Sequence, residues 1–376
     1  MSELAQETGR RRLFFQAFLF VGAVAALVVL LLSHPPREGE PPQSQQTTGG
    51  NVPAATYAVK AFKGQTMGTT YSAKVMATAE QWGELGGRIG PAIQAGLDFV
   101  DNLMSTYKPD SELSRFNLSQ ETAPSRVSAA TLEVFQIAQG ISEASGGGFD
   151  VTVGPLVNAW GFGPDGRTPT GPSEEQLAAL RERVGYQKLT IDETASTIRK
   201  ARPDVYCDLS AVAKGYAVDR VASALETLGI ENYMVEVGGE IRTKGTKLRT
   251  RWRVAIEKPL SDDRAIQEVL ETPPDGLAMA TSGDYRNYYE VDGVRLSHTI
   301  DPRTGRPIAH LLASVSVLHE TCAMADAYAT AFMVLGPEDG YALAIERDLA
   351  ALFITRDPRG GFVEKATAGF ARHTDK

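Results

Sequence analysis

Asp326 and Thr330 fall at positions i and i+4 of the segment Ala325-Asp326-Ala327-Tyr328-Ala329-Thr330-Ala331. In a helix that spacing puts both side chains on one face. A carboxylate and a hydroxyl oxygen suit a hard cation such as Mg²⁺, which prefers oxygen ligands. The flanking alanines leave room for a hydrated ion and a phosphate. The alternative is an aspartate satisfied by its own helix end. Asp208-Leu209-Ser210-Ala211-Val212-Ala213-Lys214-Gly215 reads as a strand running into a helix. Its small residues let a ligand approach the backbone, and Lys214 can meet an anion. Equally, Asp208 or Ser210 caps the helix and Lys214 faces water. His298 and Asp301 are candidate proton acceptors at a strand end, against a turn-stabilising aspartate before Pro302. Asp150 lies just past three glycines, Gly146 to Gly148, and opens a run to Gly163 that carries Trp160 and Phe162. That run either walls a flat ring or belongs to the core.

Other chemistries are excluded. Gly161-Phe162-Gly163-Pro164-Asp165-Gly166 spells the dinucleotide string G-x-G-x-x-G. The string works only between a strand and a helix opening on a pyrophosphate. Here Pro164 and Asp165 interrupt it, and Arg167-Thr168-Pro169 continues as loop. There is no G-x-x-x-x-G-K-[ST], H-E-x-x-H or G-x-S-x-G, and the five histidines show no zinc-ligand spacing. Two cysteines, Cys207 and Cys322, cannot build a disulfide scaffold. Each sits in an apolar segment, so two free thiols are expected.

The 376 residues are 43% hydrophobic and 22% charged, near globular averages. Net charge is −8, which argues against a nucleic-acid partner, since that needs a basic face. Residues 1–54 carry four arginines and four glutamates, so the whole imbalance belongs to the remainder. An anionic ligand there would need local cations.

Residues 13–32 run LFFQAFLFVGAVAALVVLLL, long enough as a helix to cross the roughly 30 Å hydrocarbon core. Arg10, Arg11 and Arg12 before it place the N-terminus in the cytoplasm. A cleaved signal segment is the alternative, but its apolar stretch usually runs only about 7–15 residues. The chain therefore divides into a cytoplasmic N-terminus (1–12), a membrane anchor or signal segment (13–33), a flexible linker rich in Pro, Gln, Thr and Gly (34–54), one compact unit (55–371) and a tail (372–376). Either way, the body of the chain is expected on the exported side of the membrane.

The elements that must position the polar residues read as α+β. Thr70–Val75 is a strand. Leu85, Ile89, Ile93, Leu97, Val100 and Leu103 recur at helical spacing, with Gly86, Gly87 and Pro91 expected to break the helix start. A helix over Ser128–Ala144 ends at Gly146 to Gly148, and Ser173 to Gln176 is a capping box ahead of a third. A fourth spans Lys214–Leu228, followed by the strand Tyr233–Val237. Tyr285–Val291 and Val294–Ile300 flank Asp292-Gly293, whose positive φ angles suit a type I′ hairpin. Ser314–Leu318 and Ala350–Thr355 are strands around a helix over Ala323–Leu335. Hairpins beside helices predict a single compact unit of mixed, largely antiparallel sheet and helices, in one or two lobes.

Eight motifs occur in order: Thr66 to Thr69, Ser105 to Tyr107, Phe149 to Pro155, Asp208 to Gly215, Val237 to Gly239, Thr281 to Tyr289, His298 to Pro307 and Ala325 to Thr330. Together they closely resemble the ApbE family, the FAD:protein FMN transferases, over about residues 58–371. The resemblance implies an enzyme that cleaves FAD and attaches FMN to a Thr or Ser of a partner protein, releasing AMP. It implies an acceptor in a membrane electron-transfer complex. Carried over by motif, Met67, Tyr107, Gly148, Phe149, Asp150, Asp208, Lys214 and Ile300 contact FAD. Ala211 (through its carbonyl), Asp326 and Thr330 are implied to hold Mg²⁺; for the hydroxyl proton, the expected base is one of the two strand-end acceptors, His298 or Asp301. Many relatives carry a lipidated cysteine after the signal segment, which this chain lacks. The same residues would equally serve an FAD carrier without chemistry, or a metal-dependent FAD pyrophosphatase.

Overall fold

The computed structural model describes residues 56–163, 171–260, 265–285, 288–291 and 294–374. The expected membrane segment, the linker and the Asp292-Gly293 turn lie outside them. No helix among the described residues is long and apolar enough to cross a membrane.

Eight strands form one sheet whose spatial order is their chain order. They are β1 (Tyr57–Thr66), β2 (Thr69–Thr78), β3 (Tyr233–Val237), β4 (Glu240–Lys244), β5 (Leu277–Gly283), β6 (Leu312–His319), β7 (Ala350–Arg356) and β8 (Phe362–Ala366). Every neighbouring pair is antiparallel. The alternation of side chains divides the core in two. Tyr233, Val235 and Val237 of β3 join the cluster beneath the helices, while Met234 joins a second cluster with Trp252, Val254, Ile256 and Leu270. The hairpin Arg253–Glu257/Ile266–Glu271 and the helix Ala368–Ala371 cover that second face. The first face carries α1 (Ala79–Met104), α2 (Ala129–Ala144), α3 (Ser210–Thr227) and α4 (Cys322–Glu346).

Local signals hold where they are strongest. Ser128 Oγ accepts from the Thr131 amide, and Ser173 and Gln176 form the reciprocal box. Val291 pairs with Val294, the register of a two-residue turn. Both cysteines are free and buried.

The expected break in α1 does not occur: the helix runs unbroken through Gly86, Gly87 and Pro91. A Thr78–Gln81 capping box starts it, and Ile89, Ile93, Leu97, Val100 and Met104 are buried along it. Pro costs about 3 kcal/mol inside a helix, whereas burying each large apolar side chain returns about 1.5–3 kcal/mol. Pro91 is exposed, so the carbonyl it leaves unpaired can meet water.

Other boundaries move. α3 begins at Ser210, four residues before Lys214. The hairpin strands shorten to Tyr288–Val291 and Val294–Ser297, and Ile300–Asp301 pairs with Arg306–Pro307 instead. Gly336, at φ 86°, interrupts α4 at the expected stop, but the chain turns helical again at Pro337. A strand missed in the sequence, β1, pairs with β2 across the two-residue turn Met67-Gly68. Both turn residues have positive φ, 48° and 71°, as a type I′ turn demands. Methionine adopts it against the steric cost of its Cβ.

Candidate functional site

α4 is lined with small residues, and Ala323, Ala325, Ala327, Ala329 and Ala331 are almost wholly buried. They let α3 pack against it at close range. At the crossing, Gly215 has no room for a side chain: a Cβ would lie 2.3 Å from the Cys322 carbonyl oxygen. The approach lets the Gly215 amide donate to Asp326 Oδ2 at 3.0 Å. Asp326 is 3% exposed and is partnered by the neighbouring helix, not by its own end. A regular helix gives the Gly215 amide to the Ala211 carbonyl, so helix geometry brings that carbonyl to the same spot. Thr330 Oγ1 lies 3.1 Å from Ser282 Oγ on β5.

The start of α4 is held from outside its own sequence. Thr321 makes no side-chain cap. Asp219 of α3 accepts from the Cys322 and Ala323 amides at 3.0 and 2.9 Å, and from Arg242 of β4 at 2.7 Å. Replacing Asp219 by alanine therefore removes a helix cap and strands a half-buried arginine. Urea unfolding is expected to show a loss of about 2 kcal/mol, the upper end for a lost cap, with Asp219→Asn losing less.

Lys214 Nζ lies 3.5 Å from both Asp326 Oδ2 and Glu240 Oε1. Burial works against its charge, but the two carboxylates outweigh it and hold the amine above its usual range. Burial pushes the Glu240 carboxyl up to about 8, against the pull of Lys214. Glu240 follows the Gly238-Gly239 turn between β3 and β4, and its Oε2 is buried without a hydrogen-bond partner.

Among the described residues no three His, Cys, Asp or Glu gather as a metal cage. Mg²⁺ does not require one, being usually held by one or two carboxylates together with phosphates and water. The Asp326 carboxylate, the Thr330 hydroxyl and the Ala211 carbonyl are hard oxygen donors. Together they fit such a cation.

The start of α3 leads to the other candidates. Asp208 Oδ1 accepts from the Ser210 amide at 2.8 Å, the capping alternative, and its own amide donates to the Val151 carbonyl at 2.7 Å. Tyr107 is 72% exposed, with its phenol raised by partial burial and by the charge of Asp208. Met67 packs at the edge of the main core. The carboxylate of Asp150 turns inward: it accepts from the Thr152 amide and hydroxyl and from the Tyr186 amide, and burial raises its carboxyl. Phe149 is buried, and a Cβ at Gly148 would lie 2.9 Å from Leu335. Gly148, Phe149 and Asp150 are all buried, and the Gly148 and Phe149 amides donate to Ser145.

Ile300 belongs to a small third cluster with Leu156, Trp160, Leu177 and Val184. The Trp160 indole donates to the Gly305 carbonyl at 2.8 Å, so Trp160 is core. Phe162 stacks obliquely on Tyr289 at 4.8 Å, with the His298 ring edge-on at 6.3 Å. Both oxygens of Asp301 engage the Arg303 guanidinium at 2.9 Å, and the Gly305 amide donates to its carbonyl. That is the turn-stabilising arrangement. Gly161 follows a helix, Gly154–Ala159, and not a strand, and the rest of the string from Pro164 lies outside the described residues.

The structure thus joins Lys214, Asp326 and Thr330 in one place, links them through Asp208 to the Asp150 loop, and sets His298, Ile300 and Asp301 on a separate hairpin. Sequence reasoning missed Glu240, Asp219 and Ser282. The one available signal was an acidic residue directly after a Gly-Gly turn.

Fold and site together define an α+β protein with an antiparallel sheet and a buried group of oxygen donors gathered around Lys214. The ApbE family model matches residues 67–353. A Vibrio cholerae protein named FAD:protein FMN transferase is 48% identical over 311 residues, covering 82% of this chain and 91% of its own length. One from Haemophilus influenzae is 44% identical over 328 residues, covering 84% and 92%. Among solved structures, the flavin transferase ApbE from Vibrio cholerae superposes with a TM-score of 0.75 at 43% identity, covering 85% of this chain and 100% of its own. The apo flavinyl transferase ApbE from Pseudomonas stutzeri gives 0.77 at 39%, covering 85% and 98%. The chain belongs to the ApbE family.

Proposed function

We propose that this chain is an FAD:protein FMN transferase that moves FMN from FAD to a Thr or Ser hydroxyl of an acceptor protein and releases AMP. The observation that carries the reading is the near full-length match to relatives of that name, in a chain whose Asp326 and Thr330 share one helix face. The acceptor oxygen bonds to the FMN phosphorus, and the bond from that phosphorus to the bridging oxygen breaks, so AMP leaves with that oxygen. Phosphoryl transfer is chiefly positioning plus charge neutralisation. Asp326, Thr330 and the Ala211 carbonyl would hold Mg²⁺, which when bound offsets the negative charge of the pyrophosphate. Lys214 adds a positive charge beside it. Tyr107, Met67 and the Gly148 to Asp150 loop would contact the flavin nucleotide. A threonine hydroxyl is a weak nucleophile and needs a base within about 2.6–3.2 Å. His298 is the better candidate, because Asp301 is committed to Arg303.

The apolar run at residues 13–32, read as an anchor or signal segment, and the arginines before it support a catalytic unit on the periplasmic face of a bacterial inner membrane. There it would meet an exported subunit of an electron-transfer complex. The test incubates the full chain with FAD, Mg²⁺ and a candidate acceptor subunit. A flavin mass on a Thr or Ser, with AMP released, is expected. Free FMN and AMP with unmodified acceptor would make the chain a pyrophosphatase, and unchanged FAD a carrier.

A further inference from the structure

Lys214 stands between two acidic side chains. Its ammonium is 3.5 Å from Asp326 and 3.5 Å from Glu240, and it donates at 3.0 Å to the Ser210 carbonyl. Among the described residues, the ion pairs of both carboxylates run to this one lysine. Both carboxylates are buried, at 3% and 4% exposure, whereas the Lys214 side chain keeps 28%. Buried polar atoms are normally hydrogen-bonded, yet Glu240 Oε2 has no partner. The group therefore sets two buried carboxyl groups around one ammonium and leaves one carboxyl oxygen unused. A divalent cation on Asp326 would stand within a few ångströms of the ammonium. It would repel that ammonium about twice as strongly as a single charge does, because Coulomb energy scales with the product of charges.

We infer that Lys214 is a built-in competitor of the divalent cation: it serves as the counter-charge of Asp326 in the metal-free protein, and on metal entry it gives up Asp326 and stays on Glu240. Glu240 is then a positioning residue, whose spare oxygen keeps the displaced lysine paired. The arrangement makes metal loading weak in the empty site and stronger with a pyrophosphate, which brings negative charge to both the metal and the lysine. Cation and FAD bind cooperatively, and by linkage each raises the affinity of the other equally. The inference rests on the proposed placement of the cation at Asp326, and it extends that placement to the order in which the site fills.

The test uses the full chain in detergent with Mn²⁺ as probe, free Mn²⁺ being counted by electron paramagnetic resonance without flavin. Lys214→Met is expected to tighten Mn²⁺ binding at least tenfold, about 1.4 kcal/mol. Adding ADP as a bare diphosphate is expected to tighten Mn²⁺ binding more in the wild type than in this variant. Glu240→Gln is expected to weaken Mn²⁺ binding, because Lys214 then rests on Asp326 alone, and this effect shrinks in the Lys214→Met background. Equal or weaker Mn²⁺ affinity in Lys214→Met overturns the inference. So does an undiminished Glu240→Gln effect in the double variant, which would make Glu240 a direct ligand. If Lys214→Met does not fold, unchanged or tighter binding by Glu240→Gln overturns it independently. Asp326→Ala separates the two readings: wild-type Mn²⁺ binding by that variant removes the cation site itself, whatever Lys214 does.

Discussion

Asp326→Ala is expected to abolish flavin transfer and to leave the protein folded. The carboxylate is the only anionic member of the proposed cation donor set, the other two being the neutral Thr330 hydroxyl and Ala211 carbonyl. Losing a group that stabilises transferring charge in a dry site costs on the order of 10²–10³-fold, and cationic stabilisers of phosphoryl transfer on the order of 10³–10⁵-fold. A drop of about 10³-fold or more is expected here, because the cation loses its charged anchor. Folding is largely spared. The Gly215 amide that Asp326 accepts can return to the Ala211 carbonyl of its own helix, and Lys214 keeps Glu240. Mass spectrometry of the acceptor reads the first effect, and a thermal melt reads the second. Full transfer by the variant in excess Mg²⁺ would sink the metal assignment.

Gly215→Ala is expected to destabilise the protein and to lose most transfer activity, against the sign that helix propensity gives. In an exposed helix interior, alanine is favoured over glycine by about 1 kcal/mol. Here the new Cβ would lie 2.3 Å from the Cys322 carbonyl oxygen, 2.6 Å from its carbon and 2.9 Å from Ala323 Cα. These are backbone atoms, so no rotamer change relieves the clash and α3 must move away from α4. Overpacking of this kind costs about 1–3 kcal/mol, occasionally more. The same movement opens the 3.0 Å bond to Asp326 and shifts the carboxylate relative to Ala211. Thermal denaturation and transfer rate should fall together. A stabilised, fully active variant would show that the helices are not in that contact.

The residues most legible in the sequence are those whose partners lie within a few positions. Ser128 and Ser173 announce their helices because a cap is a contact over three residues. The Val291–Val294 register follows from a two-residue turn, Gly336 interrupts α4 where periodicity ends, and Asp326 and Thr330 share a face by spacing alone. Eight ordered motifs carried the family resemblance, because order along a chain is itself sequence information. The tertiary structure decided everything that rests on distant partners. α1 survives Pro91 because a core assembled from other segments buries its inner face. The start of α4 is capped by Asp219, more than a hundred residues earlier in the chain. Asp150 points inward to Tyr186, and Asp301 is taken up by Arg303. Glu240 matters only because the sheet brings the end of a Gly-Gly turn against Lys214. Local propensities and spacing are set within one or two turns of chain. Burial, charge pairing and the fit of one helix against another exist only once the sheet has brought distant residues together.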